Sequence, residues 1–204
     1  MKSIRLVGGA TAIALVAAAL TAAVVLATAN LIAKGGAVTH VYIASSDFNS
    51  TTSSTTYTDL PGMALTFSVP ATSPAQLIDI RFSAESACYG GGASPNWCTV
   101  QILVDGVPAQ PVDACGGTRD FAFDSTDTGN NTPGSWSGKA MERFAVVQPG
   151  THKVKVQGAV TDFGVTGTQI FWTGERILAV DEAKSTSLTG TNACGAAGPA
   201  SQGH

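Results

Sequence analysis

Charged side chains are scarce in this chain, and the basic ones do not cluster. Charged residues make up 12% of the 204 residues, and 14 acidic against 11 basic residues give a formal net charge of −3. Nucleic-acid-binding proteins present a basic patch to the phosphate backbone, and anionic membranes attract the same kind of patch. The sequence therefore predicts neither a nucleic-acid partner nor electrostatic attraction to a membrane surface.

Motifs of the common enzyme classes are also missing. The chain has no Walker loop, no G-x-S-x-G elbow, no S-x-x-K and no H-E-x-x-H. Of its three histidines, His40 precedes the predicted domain, His204 is terminal, and His152 opens a strand, where histidine commonly bonds to backbone and packs. A carboxylate pair of the kind used in glycoside hydrolysis is the catalytic option that remains open. We therefore expect a protein without catalytic residues.

Four cysteines are present, with no C-x-x-C pair, which argues against zinc and against a redox motif. An even number suits an oxidising compartment. Cys88 and Cys98 flank a Gly/Pro-rich loop between two predicted strands, so we expect a disulfide at the mouth of a hairpin. Cys115 and Cys194 would then pair and tie the C-terminal tail to the domain. Four cysteines allow three pairings, so the connectivity stays open.

The N-terminal segment is a long uncharged run. Lys2 and Arg5 precede an Ala-, Val- and Leu-rich stretch, and Ala27-Thr28-Ala29 has the small-x-small pattern of a signal-peptidase site. We predict a signal peptide of bacterial type over residues 1–29 and export to a secreted or cell-surface location. The alternative is an uncleaved anchor to about residue 33, because the run is long enough to span a bilayer. A membrane is a partner only in that case.

Composition divides the exported part into three. Residues 30–58 are rich in Ser and Thr with little to bury, and we interpret them as a lead-in. Residues 59–182 carry the strong strand signals and form the predicted domain. From residue 183 to residue 204 the chain is mostly Ser, Thr, Gly and Ala, which predicts a flexible tail.

Apolar and polar residues alternate through the predicted domain with the period of two that is typical of half-buried strands. The clearest stretches are residues 76–84 and 99–104, and Asp105-Gly106 then predicts a tight turn. In the last strand, residues 168–180, the alternation loses phase around Gly174, which indicates a β-bulge. Eight or nine strands without a helical period predict an all-β fold, an antiparallel β-sandwich that is most simply a jelly roll.

Three short phrases resemble stretches of secreted, mostly uncharacterised bacterial β-sandwich proteins. They are Y-T-D-L-P-G at 57–62, P-G-T-H-K-V-K-V-Q at 149–157 and E-R-I-L-A-V at 175–180. The second phrase also resembles jelly-roll domains of the C1q/TNF-like type. The resemblance implies a jelly roll over about residues 55–182, and a C1q-like relative implies trimers. The sequence carries no collagen-like repeat or coiled coil, so the oligomeric state stays open.

Aromatic residues on loops are the candidates for ligand contact. Tyr89 and Trp97 lie within the predicted disulfide loop, and Trp136 lies in a separate Gly/Ser/Pro-rich loop. Flat rings on a rigid scaffold stack on sugars or anchor a protein partner. Covering the ends of the sandwich is the alternative role, and we expect Trp172, inside a strand, in the core.

One loop resembles a cation site in composition. Asp124, Asp127 and Asn130 offer hard oxygen ligands that calcium would accept. Their spacing is not that of an EF-hand, and loops of this composition are usually turns. We therefore expect no cofactor.

These observations together predict a secreted, non-catalytic recognition or adhesion module of the cell surface. Its expected partner is a glycan or a cell-surface protein. Two alternatives remain: a secreted polysaccharide hydrolase that uses a carboxylate pair, and a structural envelope protein without a ligand.

Overall fold

A computed structural model describes residues 32–91, 97–112, 121–126, 134–161 and 167–189. The regular structure in these ranges is entirely β. The strands are Ile32–Ser46 (β1), Ser50–Thr52 (β2), Thr58–Val69 (β3), Gln76–Gly90 (β4), Trp97–Val104 (β5), Val107–Pro108 (β6), Ala122–Ser125 (β7), Ser137–Val147 (β8), Gly150–Thr161 (β9) and Gln169–Thr189 (β10). Within these ranges the structure has no helix that is long and apolar enough to cross a membrane.

Two five-stranded antiparallel sheets pack against each other. Sheet A has the order β1-β10-β4-β8, with β2 beside β10, and sheet B has the order β3-β9-β5-β6, with β7 beside β5. The first strand pairs with the last, and from β3 onward the long strands alternate between the sheets. This is the winding of a jelly roll, so the predicted fold class is confirmed.

The strands extend past both predicted limits of the domain. β1 consists of residues assigned above to a lead-in, and it pairs along most of its length with β10, which continues to Thr189. Residues 32–46 therefore belong to the sandwich, as do residues 183–189. Pairing with a distant strand supplies the backbone hydrogen bonds here, and local composition does not signal such a partner. The predicted leader and residues 190–204 of the predicted tail lie outside the described residues.

The core lies between the inner faces of the two sheets. On β4 the period-two pattern buries Ile78, Ile80 and Phe82 completely and turns Arg81 to the outer face of sheet A. Phe82 meets Phe123 from sheet B with ring centroids 5.4 Å apart. Burying a side chain of this size stabilises the fold by about 1.5–3 kcal/mol, so this face of β4 anchors sheet A to sheet B.

Two local predictions are confirmed in the connections. Asp105 and Gly106 both have positive φ, 52° and 83°, as a two-residue type I′ turn between β5 and β6 requires. The register of β10 against β4 shifts between Thr173 and Arg176, which is the bulge expected around Gly174. The bulge matters below because it changes which side chains of β10 point outward.

Cys88 and Cys98 form the predicted disulfide. Their strands are not hairpin partners, however, because β4 belongs to sheet A and β5 to sheet B. The disulfide therefore crosses the sandwich at one end, where both cysteines are fully buried. The side-chain amide of Gln169 lies beside it and donates to the Trp97 carbonyl at 2.9 Å. Cys115 and Cys194 lie outside the described residues.

Candidate ligand-binding face

The three aromatic residues predicted to contact a ligand do not share one surface. Trp97 precedes the buried Cys98 on β5, so it points to the outer face of sheet B, where 42% of its surface is exposed. Tyr89 follows the buried Cys88 on β4 and points to the outer face of sheet A. Trp136, which is 57% exposed, precedes β8 and lies on that same face. The thickness of the sandwich separates Trp97 from the other two.

Trp136 packs against Trp172. Their ring centroids are 5.2 Å apart and their planes are inclined by 33°. Trp172 lies between the buried residues Phe171 and Thr173 on β10, so its side chain points outward and is only half-buried. The prediction that Trp172 lies in the core is wrong. The bulge that follows interrupts the alternation of β10, so the sequence pattern does not show which residues of this strand face the core.

Two small residues make room for the indole pair. Ala87 is the cross-strand partner of Trp172 and is fully buried, although it lies on the outer face of its sheet. A Cβ added at Gly174 would stand 2.6 Å from Cη2 and 3.0 Å from Cζ2 of Trp172. The indole therefore lies directly against the backbone of Gly174, an approach that only glycine permits. The Trp-x-Gly spacing is the sequence signal that would have identified this arrangement.

A carboxylate and a third ring border the pair. The position of the added Cβ at Gly174 is also 3.4 Å from Glu85 Oε2, so the Glu85 carboxylate and the Trp172 ring lie on the same side of Gly174. Tyr89 is the next outward-facing residue of β4 after Ala87, the cross-strand partner of Trp172, and it pairs with Ile170. We call Trp136, Trp172, Tyr89 and Glu85 the tryptophan face.

A group of carboxyls lies elsewhere on the outer face of sheet A. Burial, and after it the nearby Glu142 carboxylate, raise the pKa of Asp79 to about 6. Arg81, the next residue of β4 that points outward, donates a hydrogen bond to Asp181. Glycoside hydrolases hold their two carboxyls about 5–10 Å apart on either side of the scissile bond. Asp79 and Glu142 instead lie side by side on neighbouring strands and point from the same outer face of sheet A.

His152 is held at both ring nitrogens. Nδ1 lies 2.7 Å from Asp105 Oδ2, and Nε2 lies 2.6 Å from the Gln148 carbonyl oxygen. Burial lowers the pKa of His152, but the hydrogen bonds to Asp105 and Gln148 outweigh it and the net pKa is raised. Since the protonated ring donates to both acceptors, this histidine ties two turns together instead of offering a free lone pair to a substrate. The prediction that it bonds to backbone is confirmed.

A buried carboxylate joins β1 to β10. Glu182 accepts a hydrogen bond from Tyr42 Oη at 3.0 Å, and its Oε2 lies 3.2 Å from His40 Nδ1. Burial and the hydrogen bond to Glu182 raise the pKa of Tyr42. These contacts fix the first strand in the sheet.

Asp124, one of the three candidate calcium ligands, is engaged by protein groups. Its carboxylate accepts hydrogen bonds from Ser86 Oγ at 2.6 Å and from the Ser125 amide at 2.9 Å, and Lys139 Nζ lies 3.8 Å away. Asp127 and Asn130 lie outside the described residues. In the described part of the chain, no three His, Cys, Asp or Glu side chains are grouped so that they could hold a metal ion.

The chain matches no protein-family model, and a comparison with curated proteins finds no relative either.

Proposed function

We propose that the protein is an exported, non-catalytic recognition domain that binds carbohydrate through the tryptophan face. The observation that carries the proposal is the pairing of the exposed Trp136 with the half-buried Trp172 on an open sheet face. Aromatic rings combine a large apolar surface with a defined geometry. A ring held at a fixed angle on a sheet offers the flat apolar surface on which the C–H face of a sugar stacks.

Recognition fits this surface better than catalysis does. The neighbouring carboxyls of Asp79 and Glu142 are remote from the tryptophan face, because Asp79 lies eight residues from Ala87 along β4, roughly 26 Å in an extended strand. His152 is held by Asp105 and Gln148. A ligand stacked on Trp136 would therefore meet neither of these groups.

Two features support an extracellular location. The Cys88–Cys98 disulfide is of the kind that persists in oxidising compartments. Residues 1–29 have the charge, length and small-residue ending of a signal peptide. A binding face for carbohydrate is useful where cell-wall or surface glycans are exposed.

The test is a binding screen of the purified, oxidised protein against a glycan array and cell-wall polysaccharides. We expect specific retention that Trp136→Ala reduces at least tenfold. Trp97→Ala is the matched control, because it also removes an exposed indole but from the outer face of the other sheet. It should bind as the parent does, and both variants should keep their thermal midpoints within a few degrees of the parent value.

Three results would overturn the proposal. They are a parent protein that retains no glycan, a Trp136→Ala variant that binds as well as the parent, and a loss of binding in Trp97→Ala. The last result would move the binding site to sheet B.

A further inference from the structure

We infer that the tryptophan face selects sugars that carry a free amine, such as glucosamine units, over sugars that carry a carboxylate. This inference rests on the proposed function and names the class of ligand for the same site. Its basis is the position of Glu85. Glu85 Oε2 and the Trp172 ring both lie close to the position that a Cβ on Gly174 would occupy.

The charge around the two indole rings is negative. Glu85 points outward from β4 next to the two tryptophans. The residue opposite it on β8 is Gly138, so no side chain from β8 covers its charge there. The exposed Glu175 lies in the bulge of β10, directly after Gly174. An ammonium group is attracted both by a carboxylate and by the face of an indole ring, whereas both repel a sugar carboxylate.

The basic side chains closest in sequence to the two tryptophans are turned to other partners. Lys139 Nζ lies 3.8 Å from Asp124 Oδ1. Arg176 is buried and donates to the Phe48 carbonyl at 2.6 Å and to Thr173 Oγ1 at 2.9 Å. Neither cation therefore offsets Glu85 at the ligand.

The geometry of the rings favours a sugar over an isolated ammonium ion. Sites that enclose a quaternary ammonium surround it with several ring faces. Trp136 and Trp172 instead pack on each other, with their centroids 5.2 Å apart, so they do not leave a cavity between them. They present one surface, on which a sugar ring can stack while its amine reaches Glu85.

The test compares three oligosaccharides of equal length by calorimetry at mildly acidic pH: fully deacetylated chitohexaose, fully acetylated chitohexaose and hexagalacturonate. We expect the deacetylated oligomer to bind about three to ten times more tightly than the acetylated one, as an exposed ion pair and a cation–π contact allow. The uronate should bind most weakly. Added salt should reduce the preference.

Glu85→Gln keeps the size of the side chain and removes its charge. It should abolish the preference, so that the deacetylated and the acetylated oligomer bind with similar affinity. Glu142→Gln is the matched control, because it removes one carboxylate from the same outer face at a distance from the rings. It should keep the preference.

The outcomes separate this inference from the proposed function. Equal binding of the three oligomers, a preference for the uronate, or an unchanged preference in Glu85→Gln overturns the inference and leaves carbohydrate binding intact. A protein that binds none of these oligomers and no glycan on an array overturns both.

Discussion

Trp172 lies against the backbone of Gly174 on its own strand, so closely that a Cβ at Gly174 would stand 2.6 Å from Cη2 of the ring. The indole of Trp172 can take this orientation because Gly174 has no side chain. Trp136 packs on Trp172, so its position depends on Gly174 as well. Gly174 has no φ in the left-handed region, so alanine fits its backbone conformation. The conflict lies entirely between the added methyl group and the indole.

Gly174→Ala should therefore displace the Trp172 ring without unfolding the domain. We expect altered tryptophan fluorescence, carbohydrate binding weakened about three- to tenfold, and a loss of stability of about 1–3 kcal/mol from overpacking. Gly138→Ala is the matched control, because a Cβ at this glycine of the same sheet meets nothing within 4 Å. If Gly174→Ala has the fluorescence and the affinity of the parent, the indole is not held where the structure places it.

Local sequence patterns were enough to predict the features that depend only on residues close together in the chain. The alternation in residues 76–84 gives the buried side chains of β4 because a strand turns successive residues to opposite faces. The Asp105-Gly106 turn follows from residues that accept positive φ. Cys88 and Cys98 flank one loop, so their pairing also follows from nearby sequence.

The binding face depends on relationships that no local pattern contains. Trp97 is the first residue of β5 and Trp136 directly precedes β8. The two strands belong to different sheets, β5 to sheet B and β8 to sheet A, and sheet membership is decided by pairing between distant strands. To predict that Trp172 points outward, one must know which residues of β10 face the core. The bulge interrupts the alternation that would show this. The same limit applies to β1, whose partner lies at the far end of the chain.

The disulfide should contribute a large share of the stability. It joins sheet A to sheet B, and its two cysteines are fully buried. Replacing both cysteines in a Cys88→Ala/Cys98→Ala variant should lower the free energy of unfolding by about 2–4 kcal/mol, because the unlinked unfolded chain gains conformational freedom. Urea denaturation measures the change. A loss below about 1 kcal/mol would show that packing alone holds this end of the sandwich.

Asp79 should make the folded protein less stable as the pH rises from about 4 to about 6. Burial and the Glu142 carboxylate raise its pKa to about 6, against about 3.9 in the unfolded chain. Between these values the folded state holds a proton that the unfolded state has released, so raising the pH favours unfolding. Asp79→Asn removes this titration. Its thermal midpoint should match or fall below that of the parent at pH 4 and rise relative to it by pH 7, by a few degrees at most because the group is partly exposed.

Asp105→Asn is the control with the opposite sign. Burial raises the pKa of Asp105, but hydrogen bonds from His152 and from the Lys153 amide outweigh it and lower the pKa overall. Its carboxylate therefore stabilises the fold at neutral pH, and that contribution disappears as the pH falls through the lowered pKa. Asp105→Asn should be less stable than the parent at pH 7, with the gap closing in acid. If Asp79→Asn follows this same course, the carboxyl of Asp79 is stabilised as an anion in the folded protein, and its pKa is not raised there.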